Sequence, residues 1–326
     1  MWSLRSLPRR GATLLMASTP VNYVVRAAAR LRGRALVLIY HRVGPPLPAG
    51  CEIVPSVAID TFRSHLHALR ELVELVPLDR IVGADTGASP PGSGARPAVA
   101  VTFDDDLPSH VQHALPILRE LAIPATFFLS GRSLHGLGPY WFQWLETLLV
   151  NRGPRQTAAL LKMSDADPHS LLLAAAASAE LRHRVCEAAA ALPTPELLDR
   201  EGIAALASAA MTVGFHTVDH DMLPALDDAG LQDAVSRGRG DLAAATRQPV
   251  RFFAYPFGQS DHRCAGAVRQ AGFLAAFTGR PAPWQRAVHP YDVGRWEPGA
   301  ICVEDLVAKL AVRLHRASRV TRVSRP

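Results

Sequence analysis

Short apolar runs alternate along the chain with segments whose apolar residues recur at helical spacing. The runs cover residues 35–40, 98–103, 125–129, 212–215, 250–254 and 275–278, with a weaker candidate at 293–296; the first is wholly apolar, and the others are mainly apolar with a Thr or Arg. Continuous apolar runs of this length indicate strands that are buried on both faces, as in a parallel sheet. The helical patterns cover 61–75, 108–121, 226–246, 262–271 and 304–316, and Asp60 is the expected N-cap of the first. The alternation predicts an α/β fold with a parallel sheet, open or closed.

Residues 136–200 interrupt this alternation and are predicted to form a helical insertion between two strands. Aromatic residues mark a helix at 140–150, and the Ala-rich composition of 171–191 favours helix over any other structure. The insertion either only adds helices to the outside of the barrel or forms a wall or lid over a site. Residues 83–97 are rich in Gly, Pro, Ser and Ala, and they are predicted to be a loop.

The composition is that of a globular chain with basic ends. Of 326 residues, 48% are hydrophobic, which is enough for a sizeable core in one α/β barrel. Residues 1–34 hold seven Arg and no acid, and residues 309–326 hold one Lys, five Arg and no acid. We interpret 1–34 as a basic amphipathic extension and 301–326 as a basic helix and tail. Each is either a solvated end or a contact with an anionic membrane surface, and no accompanying pattern predicts nucleic-acid binding.

Cysteine usage and hydropathy predict a cytoplasmic protein, peripheral to the membrane if its basic ends bind there. The four cysteines form no C-x-x-C pair, which favours reduced thiols over a disulfide framework. The apolar run after residue 10 is too short to span a bilayer. We interpret it as part of a retained N-terminus, with a cleaved signal peptide as the alternative.

Three segments place metal-binding or proton-transferring side chains after or within predicted strands. They are T-F-D-D-D at 102–106, G-F-H-T-V-D-H at 214–220 and R-F-F-A-Y-P-F-G at 251–258. Strands of an α/β fold deliver active-site residues to one rim of the sheet or barrel. We therefore expect the three segments to meet there.

The first two segments together favour a metal site. His216 and His220 are candidate ligands, because neutral imidazole binds Zn²⁺ well, and two histidines with one carboxylate make a catalytic zinc pattern. Asp104, Asp105 and Asp106 offer the carboxylate, and their mutual repulsion is costly unless a cation relieves it. Alone, an H-x-x-x-H spacing is commonly two exposed histidines, and a D-D-D run is usually a solvated turn.

Adjacent aspartates point in different directions, so they can have different roles. One can bind the metal while its neighbour acts as general base towards a water. Arg251 can hold a carboxylate ionised through a bidentate contact, although alone it would be a surface charge at the start of a strand. The turn at 256–258 would fix a backbone N–H near the site, where it could stabilise an oxyanion.

With these motifs assembled, the chain resembles the polysaccharide deacetylase family, also called the NodB-homology family. The matching segments lie at 102–106, 216–220 and 251–258, and L-I-Y-H-R-V at 38–43 looks like the first strand of many members. The resemblance implies a distorted (β/α) barrel of the glycoside hydrolase/deacetylase type over residues 35–300, with the helical insertion at 136–200. It also implies a divalent metal at the C-terminal rim of the strands, with Zn²⁺ as the expected ion.

By motif position, the resemblance implies a role for each residue of the site. Asp104 is the catalytic base, Asp105, His216 and His220 are the metal ligands, Arg251 orients Asp104, and the backbone N–H of Tyr255 donates to the oxyanion. The implied activity is hydrolysis of an N-acetyl, sometimes an O-acetyl, group on a glycan.

The chain departs from the family pattern at three places. Asp106 stands where the family often has Gly, so it either disturbs the metal site or points to solvent. No clear motif supplies the general-acid histidine, and His289 is the candidate for that role. The segment around Arg295 matches the family only loosely, which leaves Arg295 as a substrate-pocket candidate. His41, at the end of the first strand, either lines the same pocket or caps its own strand.

These inferences predict a metal-dependent, cytoplasmic enzyme that removes acetyl from an N-acetylhexosamine unit of a glycan or glycan precursor in envelope polysaccharide biosynthesis. Its partner would be an acetylated glycan or a lipid-linked sugar. The alternatives are a catalytically inactive glycan-binding member of the family and a hydrolase of a non-sugar amide on the same barrel.

Overall fold

Each long apolar run of the sequence forms a strand. The computed structural model describes residues 35–83, 96–284 and 288–315. Its strands are β1 (Ala35–Tyr40), β2 (Arg42–Val43), β3 (Ser56–Val57), β4 (Glu74–Leu75), β5 (Ala98–Asp104), β6 (Ala125–Leu129), β7 (Thr212–Phe215), β8 (Phe252–Ala254), β9 (Ala275–Thr278) and β10 (Val293–Gly294). Five of the predicted strands are confirmed to within one residue, and those at 250–254 and 293–296 are shorter than predicted.

Helices cover the outside of the sheet and fill the predicted insertion. They are α1 (Ile59–Leu72), α2 (Leu78–Val82), α3 (Leu115–Glu120), α4 (Trp141–Arg152), α5 (Pro154–Leu160), α6 (Pro168–Ala176), α7 (Ala179–Ala189), α8 (Arg200–Ser208), α9 (Asp228–Ser236), α10 (Arg239–Thr246), α11 (His262–Gln270) and α12 (Val303–His315). None of these described helices is long and apolar enough to cross a membrane.

Three details of the helices differ from the sequence predictions. The N-cap of α1 is Ala58, so the expectation that Asp60 caps it is wrong; Asp60 lies in the first turn, where a carboxylate favours the helix dipole. The single helix predicted at 226–246 is two helices, because Gly238 adopts a φ of +85° between them. The Ala-rich helix predicted at 171–191 is also divided, and Ser178 caps its second half through a hydrogen bond from the Leu181 N–H.

The sheet is parallel and nearly closed into a barrel. Its strand order is β1-β5-β6-β7-β8-β9-β10, with β4 also paired to β5, and β2 and β3 form a separate two-stranded sheet. A parallel bridge between Leu38 and Trp296 links the two ends of the order. There the Ile39 N–H donates to the Trp296 carbonyl at 3.0 Å, and the Trp296 N–H donates to the Val37 carbonyl at 2.8 Å. The predicted (β/α) barrel is therefore confirmed.

Both faces of the strands are buried, which explains why their sequences are apolar without alternation. In β1, Leu36, Leu38 and Tyr40 belong to the outer core shared with α1. Ala35 and Val37 belong to a second cluster, with small residues of β5 such as Ala98 and Ala100, on the opposite face of the strands. That face is the barrel interior, and Asp104 lies on it because side chains alternate along a strand.

Parallel strands bring their C-terminal ends to one rim, and the chain places its chemistry there. Asp104 ends β5, and His216 follows the last residue of β7. His41 follows β1 and Arg295 follows β10 in the same way. The sequence motifs are therefore neighbours in space although they are up to about 250 residues apart in the chain.

The predicted insertion contains α4 to α7 and has a core of its own. Leu145, Leu148 and Leu149 of α4 pack against Leu171 of α6 and Val185 of α7, and Cys51 joins this cluster. The basic extension predicted at 1–34, the loop residues 84–95 and the tail beyond residue 315 lie outside the described residues.

Candidate metal centre and its cavity

Three buried side chains at the barrel rim form a cluster that can hold a metal ion. Asp105, His216 and His220 each offer one ligand atom, and these atoms lie within 4.8 Å of one another. The Nε2 atoms of His216 and His220 lie 3.7 and 3.5 Å from Oδ1 of Asp105. The three residues predicted from sequence as metal ligands are thus brought together.

A hydrogen bond orients His216 towards the cluster, and burial favours the neutral form of His220. The Nδ1–H of His216 donates to the Ala254 carbonyl at 2.9 Å, which leaves the lone pair of Nε2 facing the cluster. Burial, reinforced by the neighbouring His216, lowers the pKa of His220 well below its ordinary value. The rings of Phe142 and Phe257 lie 4.9 and 4.7 Å from that of His220 and keep water away from it. A neutral imidazole is the state that a metal ligand requires.

One carboxylate oxygen of Asp105 has no hydrogen-bond partner among the described residues, and a bound cation would give it a partner of opposite charge. This atom, Oδ1, is buried. Burial raises the pKa of this carboxyl, and the neighbouring Asp104 and Asp106 add to the effect. A buried carboxylate without a counter-charge is costly, and a divalent ion between Asp105 and the two imidazoles would remove that cost. The residues present therefore fit a divalent metal, with the two-His, one-carboxylate set that suits zinc.

The backbone is strained where it carries these ligands. Asp105, Thr217, His220 and Phe257 have φ values of +71°, +61°, +53° and +56°. Left-handed conformations of non-glycine residues are uncommon and cluster at functional sites. Half of the eight such residues in the described chain lie in or beside the metal cluster, so the local fold is shaped by ligand placement.

Arg295 clamps the predicted catalytic base. Its Nη1 and Nη2 atoms each donate to an oxygen of Asp104 at 2.6 Å, and the side chains are 0% and 3% exposed. Burial alone would raise the pKa of Asp104, but the Arg295 guanidinium, together with His216 and His41, lowers this pKa to about 2. Arg295, a weak pocket candidate in the sequence, therefore holds Asp104 ionised and in a fixed orientation.

The prediction that Arg251 orients Asp104 is wrong. Arg251 immediately precedes β8, and parallel strands place their N-terminal ends away from the rim that carries Asp104. Its Nη2 atom instead donates to Oδ1 of Asp79 at 2.5 Å, and its side chain is 42% exposed.

Two further predicted roles do not match the structure. The N–H of Tyr255 donates to the Phe277 carbonyl at 3.0 Å as part of the sheet, so it is not available to an oxyanion. His289, the predicted general acid, is exposed and lines a neighbouring groove instead of the cavity that contains the metal cluster.

Asp106 neither disturbs the cluster nor points to solvent. It is fully buried and accepts hydrogen bonds from Ser130 N at 2.8 Å, from the Ser130 hydroxyl and from Arg132 N at 3.2 Å. Its carboxylate ties the end of β5 to the loop after β6. The third aspartate is therefore a structural bridge between two rim loops.

His41 lies at the cavity and is held in its positively charged form by a neighbouring carboxylate. It lines the cavity, and its Nδ1 atom lies 2.9 Å from Oε1 of Glu297. Burial would lower the pKa of His41, but Glu297, aided by Asp105 and Asp104, raises it to about 9. The ring is thus an imidazolium near neutral pH. His41 therefore lies at the cavity, as the prediction that it lines a pocket requires.

The cavity has a polar floor and an apolar wall, with a volume of about 370 Å³. The metal cluster, Asp104 and Arg295 form the floor. Val54, Phe142 and Leu172 contribute to the wall, and the last two belong to the insertion. The insertion is therefore a wall of the site.

Glu146 of α4 anchors this wall to the barrel. Its side chain is 9% exposed and accepts from the backbone N–H groups of Ile53 and Val54 at 2.9 and 3.0 Å. It also pairs with Arg42, the residue after His41. One buried carboxylate thus connects the insertion, the 53–54 loop and β2.

Glu146 and Glu297 were not predicted as site residues, because neither lies in a recognisable sequence motif. Glu297 is two residues beyond Arg295, so a strand end carrying both could have suggested a charged pair at the rim. Glu146 lies within an aromatic helix and offers no such signal.

A family model described as polysaccharide deacetylase matches residues 92–276, which is more than half of the chain. Among solved structures, the Streptococcus pyogenes deacetylase PplD in complex with acetate is similar at 15% identity, covering 87% of this chain and 99% of that chain with a TM-score of 0.58. A de-N-acetylase from Aggregatibacter actinomycetemcomitans is similar at 16% identity, covering 85% and 99%, with a TM-score of 0.56. IcaB from Ammonifex degensii is similar at 20% identity, covering 87% and 98%, with a TM-score of 0.52. No curated protein matches the chain.

Proposed function

The chain belongs to the polysaccharide deacetylase family, and from this we propose that it is a zinc-dependent enzyme that hydrolyses the N-acetyl group of an N-acetylhexosamine unit in a glycan. One observation carries the proposal. The Asp105, His216 and His220 cluster and the Asp104–Arg295 pair share one buried cavity, so a metal, a base and a substrate carbonyl can meet there.

Asp105, His216 and His220 would hold the metal through Oδ1 and the two Nε2 atoms. A bound Zn²⁺ supplies Lewis-acid polarisation of the acetyl carbonyl and lowers the pKa of water. Asp104 accepts a proton from the attacking water, while Arg295 keeps this carboxylate ionised and aimed into the cavity. Attack forms a C–O bond to the carbonyl carbon.

His41 is positioned to act as the general acid in the last step of the reaction. With Nδ1 held by Glu297, Nε2 is the ring nitrogen left to meet a substrate, and the described residues give it no hydrogen bond. Donation of its proton to the departing nitrogen breaks the C–N bond and leaves acetate and a free amine. This assignment replaces His289, which the cavity does not contain.

Glu297→Gln is expected to shift the alkaline limb of the pH–kcat profile downward. His41 must be protonated to donate, so wild-type activity is present below its pKa of about 9 and is lost as pH rises through that value. Without the Glu297 charge, this pKa falls towards its ordinary value of about 6.5. The measurement is kcat against pH for metal-loaded protein.

Glu187→Gln is the matched control, because Glu187 pairs with an exposed histidine, His183, at 3.3 Å. It should leave the profile unchanged. An alkaline limb that stays in place in Glu297→Gln would exclude His41 as the acid.

The completeness of the site argues against an inactive glycan-binding member. A binding module would have no use for a buried base clamped by a buried guanidinium, since such a pair is costly to desolvate. The names of two similar structures, a deacetylase with acetate and a de-N-acetylase, support hydrolysis of an acetyl group, and the family description, polysaccharide deacetylase, supports a sugar substrate over a non-sugar amide.

A role in envelope polysaccharide biosynthesis, with a lipid-linked sugar as one substrate form, is part of the same proposal. The proposal also includes a cytoplasmic location and contact of the basic ends with an anionic membrane. They rest on the charge distribution of the sequence.

The proposal is tested by acetate release from three acetylated compounds given to zinc-loaded protein: an N-acetylglucosamine oligosaccharide, an O-acetylated xylan fragment and a non-sugar acetamide. We expect acetate from the first in clear excess over the other two. Release from the acetamide alone would replace the proposal with its non-sugar alternative, and release from none would support the inactive one.

A further inference from the structure

The two candidate histidine ligands differ in how their second ring nitrogen is held. In His216, the Nδ1–H donates to the Ala254 carbonyl at 2.9 Å. In His220, Nδ1 is buried and has no hydrogen-bond partner among the residues that the structure describes. Metal-binding histidines almost always donate that N–H to a neighbouring oxygen atom, and this bond fixes the orientation of the ring. The orientation of His220 therefore depends on other contacts.

Four rings enclose the imidazole of His220. Their centroids lie at 4.7 Å (Phe257), 4.9 Å (Phe142), 4.9 Å (His216) and 5.6 Å (Tyr140) from its own. The planes meet at angles between 55° and 74°, so each contact is tilted or edge-on. Rings attract one another at these separations and angles, and close packing prevents the enclosed ring from turning. Such packing can fix the ring plane without a hydrogen bond.

Two of these rings belong to the insertion. Tyr140 is the N-cap of α4, and Phe142 is the second residue of that helix. Both residues are buried, and their rings stack with centroids 4.9 Å apart and planes 11° apart. The Tyr140 N–H donates to Oε1 of Gln143 at 2.9 Å, which fixes the start of the helix. The first turn of α4 thus presents a well-anchored pair of rings to His220.

Arg132 joins the loop that carries both histidines to the same turn. Its Nη1 atom donates to the Val218 carbonyl at 3.1 Å and to Oδ1 of Asp219 at 3.0 Å. Its Nε atom donates to the Gly138 carbonyl at 2.6 Å, two residues before α4 is capped. The guanidinium carbon also lies 5.1 Å from the centroid of the Tyr140 ring, within the range of a cation–π contact. One side chain therefore fixes this loop against the start of the insertion.

We propose that Tyr140 and Phe142 are positioning residues of the metal centre: the first turn of the insertion holds His220 with its Nε2 atom towards Asp105. The inference rests on the metal site of the proposed function, but on neither its substrate nor its reaction. It gives the insertion a role in metal affinity in addition to its role as a wall of the cavity. Because coupling between binding and conformation is reciprocal, a bound metal in turn stabilises the first turn of α4.

The test measures Kd for zinc of the full chain, by competition with a chelator of known affinity. Phe142→Leu and Tyr140→Leu keep an apolar side chain but remove a ring. We expect each to raise Kd by about 10- to 100-fold, the usual effect of losing an outer partner of a metal ligand. Tyr140→Phe keeps the ring and should bind zinc as wild type does. Trp144→Leu is the matched control in the same helix, because Trp144 packs on the separate core of the insertion.

Two further measurements distinguish positioning from a general loss of stability. The visible absorption of bound Co²⁺ depends on the geometry of its ligands, so it should change in Phe142→Leu and stay as in wild type in Trp144→Leu. A role in stability alone would lower the free energy of unfolding of the metal-free variants and leave Kd for zinc unchanged. Zinc should also slow amide hydrogen exchange at residues 141–145 of wild type. Exchange there that does not respond to zinc would contradict the coupling.

Unchanged Kd in both leucine variants at 140 and 142 would overturn the inference. An equal rise in Trp144→Leu would also overturn it, because general weakening of the insertion would then explain the loss. A rise in Tyr140→Phe would assign the effect to the hydroxyl group and overturn the role of the Tyr140 ring. If wild type and variants differ in zinc affinity as expected but wild type releases no acetate, the inference stands and the proposed function fails. If wild type binds no zinc, both fail.

Discussion

Arg295→Met is expected to abolish most activity and to destabilise the fold, whereas Arg251→Met should do neither. Arg295 donates both Nη atoms to a carboxylate that is 3% exposed, so its loss leaves Asp104 buried without a partner. Removing one member of a buried ion pair costs about 3–5 kcal/mol. The loss also raises the pKa of Asp104 and frees the carboxylate to turn, so kcat should fall by about 100-fold or more.

Arg251→Met is the matched control, because Arg251 is the arginine that the sequence motif assigned to Asp104. Its partner is Asp79 and its side chain is 42% exposed, so the change should cost about 1 kcal/mol or less and leave kcat unaltered. The measurements are kcat and the free energy of unfolding in denaturant. A larger loss of kcat in Arg251→Met than in Arg295→Met would show that the barrel places these arginines differently.

Asp105→Asn is expected to abolish zinc binding without weakening the metal-free fold. Asn tolerates the left-handed backbone at this position, where φ is +71°, so the substitution adds little strain. It also removes a buried carboxylate with an unpaired oxygen. Zinc at 100 times its Kd should stabilise wild type by about 2.7 kcal/mol, and it should not stabilise the variant.

Asp104→Asn tests the role of the catalytic base separately from that of the metal ligand. It should retain zinc, because Asp104 lies outside the ligand cluster, and it should lose about 10²- to 10⁴-fold in kcat. Thermal unfolding with and without zinc measures the first effect, and acetate release measures the second. Loss of the zinc-induced shift in Asp104→Asn but not in Asp105→Asn would reverse the two assignments.

The barrel could be predicted from the sequence because parallel strands buried on both faces leave a local signal. Ala35–Tyr40 is a continuous apolar run, Ala125–Leu129 and Thr212–Phe215 are mainly apolar, and the ends of all three strands were predicted correctly. The cluster that can hold a metal was also predictable, since Asp105 and His216 directly follow strands and His220 lies four residues beyond His216. The position of these residues at strand ends, together with their metal-binding side chains, therefore made this part of the site predictable from the sequence.

The roles of the remaining site residues depend on which end of a strand each residue flanks and on how the strands pair. Neither can be read from a local sequence pattern. Arg251 and Arg295 both flank short strands, but one precedes its strand and the other follows it, and this decides which reaches Asp104. The Tyr255 N–H is consumed by the pairing of β8 with β9, and no local pattern distinguishes a paired N–H from a free one. The proposed acid role passes from His289 to His41 because of Glu297, which is 256 residues from His41 in the chain.

The most direct test of the central claim is acetate release by metal-stripped wild type as Zn²⁺ is added back, with an N-acetylglucosamine oligosaccharide as substrate. The account predicts negligible release without metal, full release at one ion per chain, and none at any zinc concentration in Asp105→Asn. Full release by the stripped protein, or restoration of Asp105→Asn by the same single ion, would contradict the assignment of Asp105, His216 and His220 as the catalytic metal site.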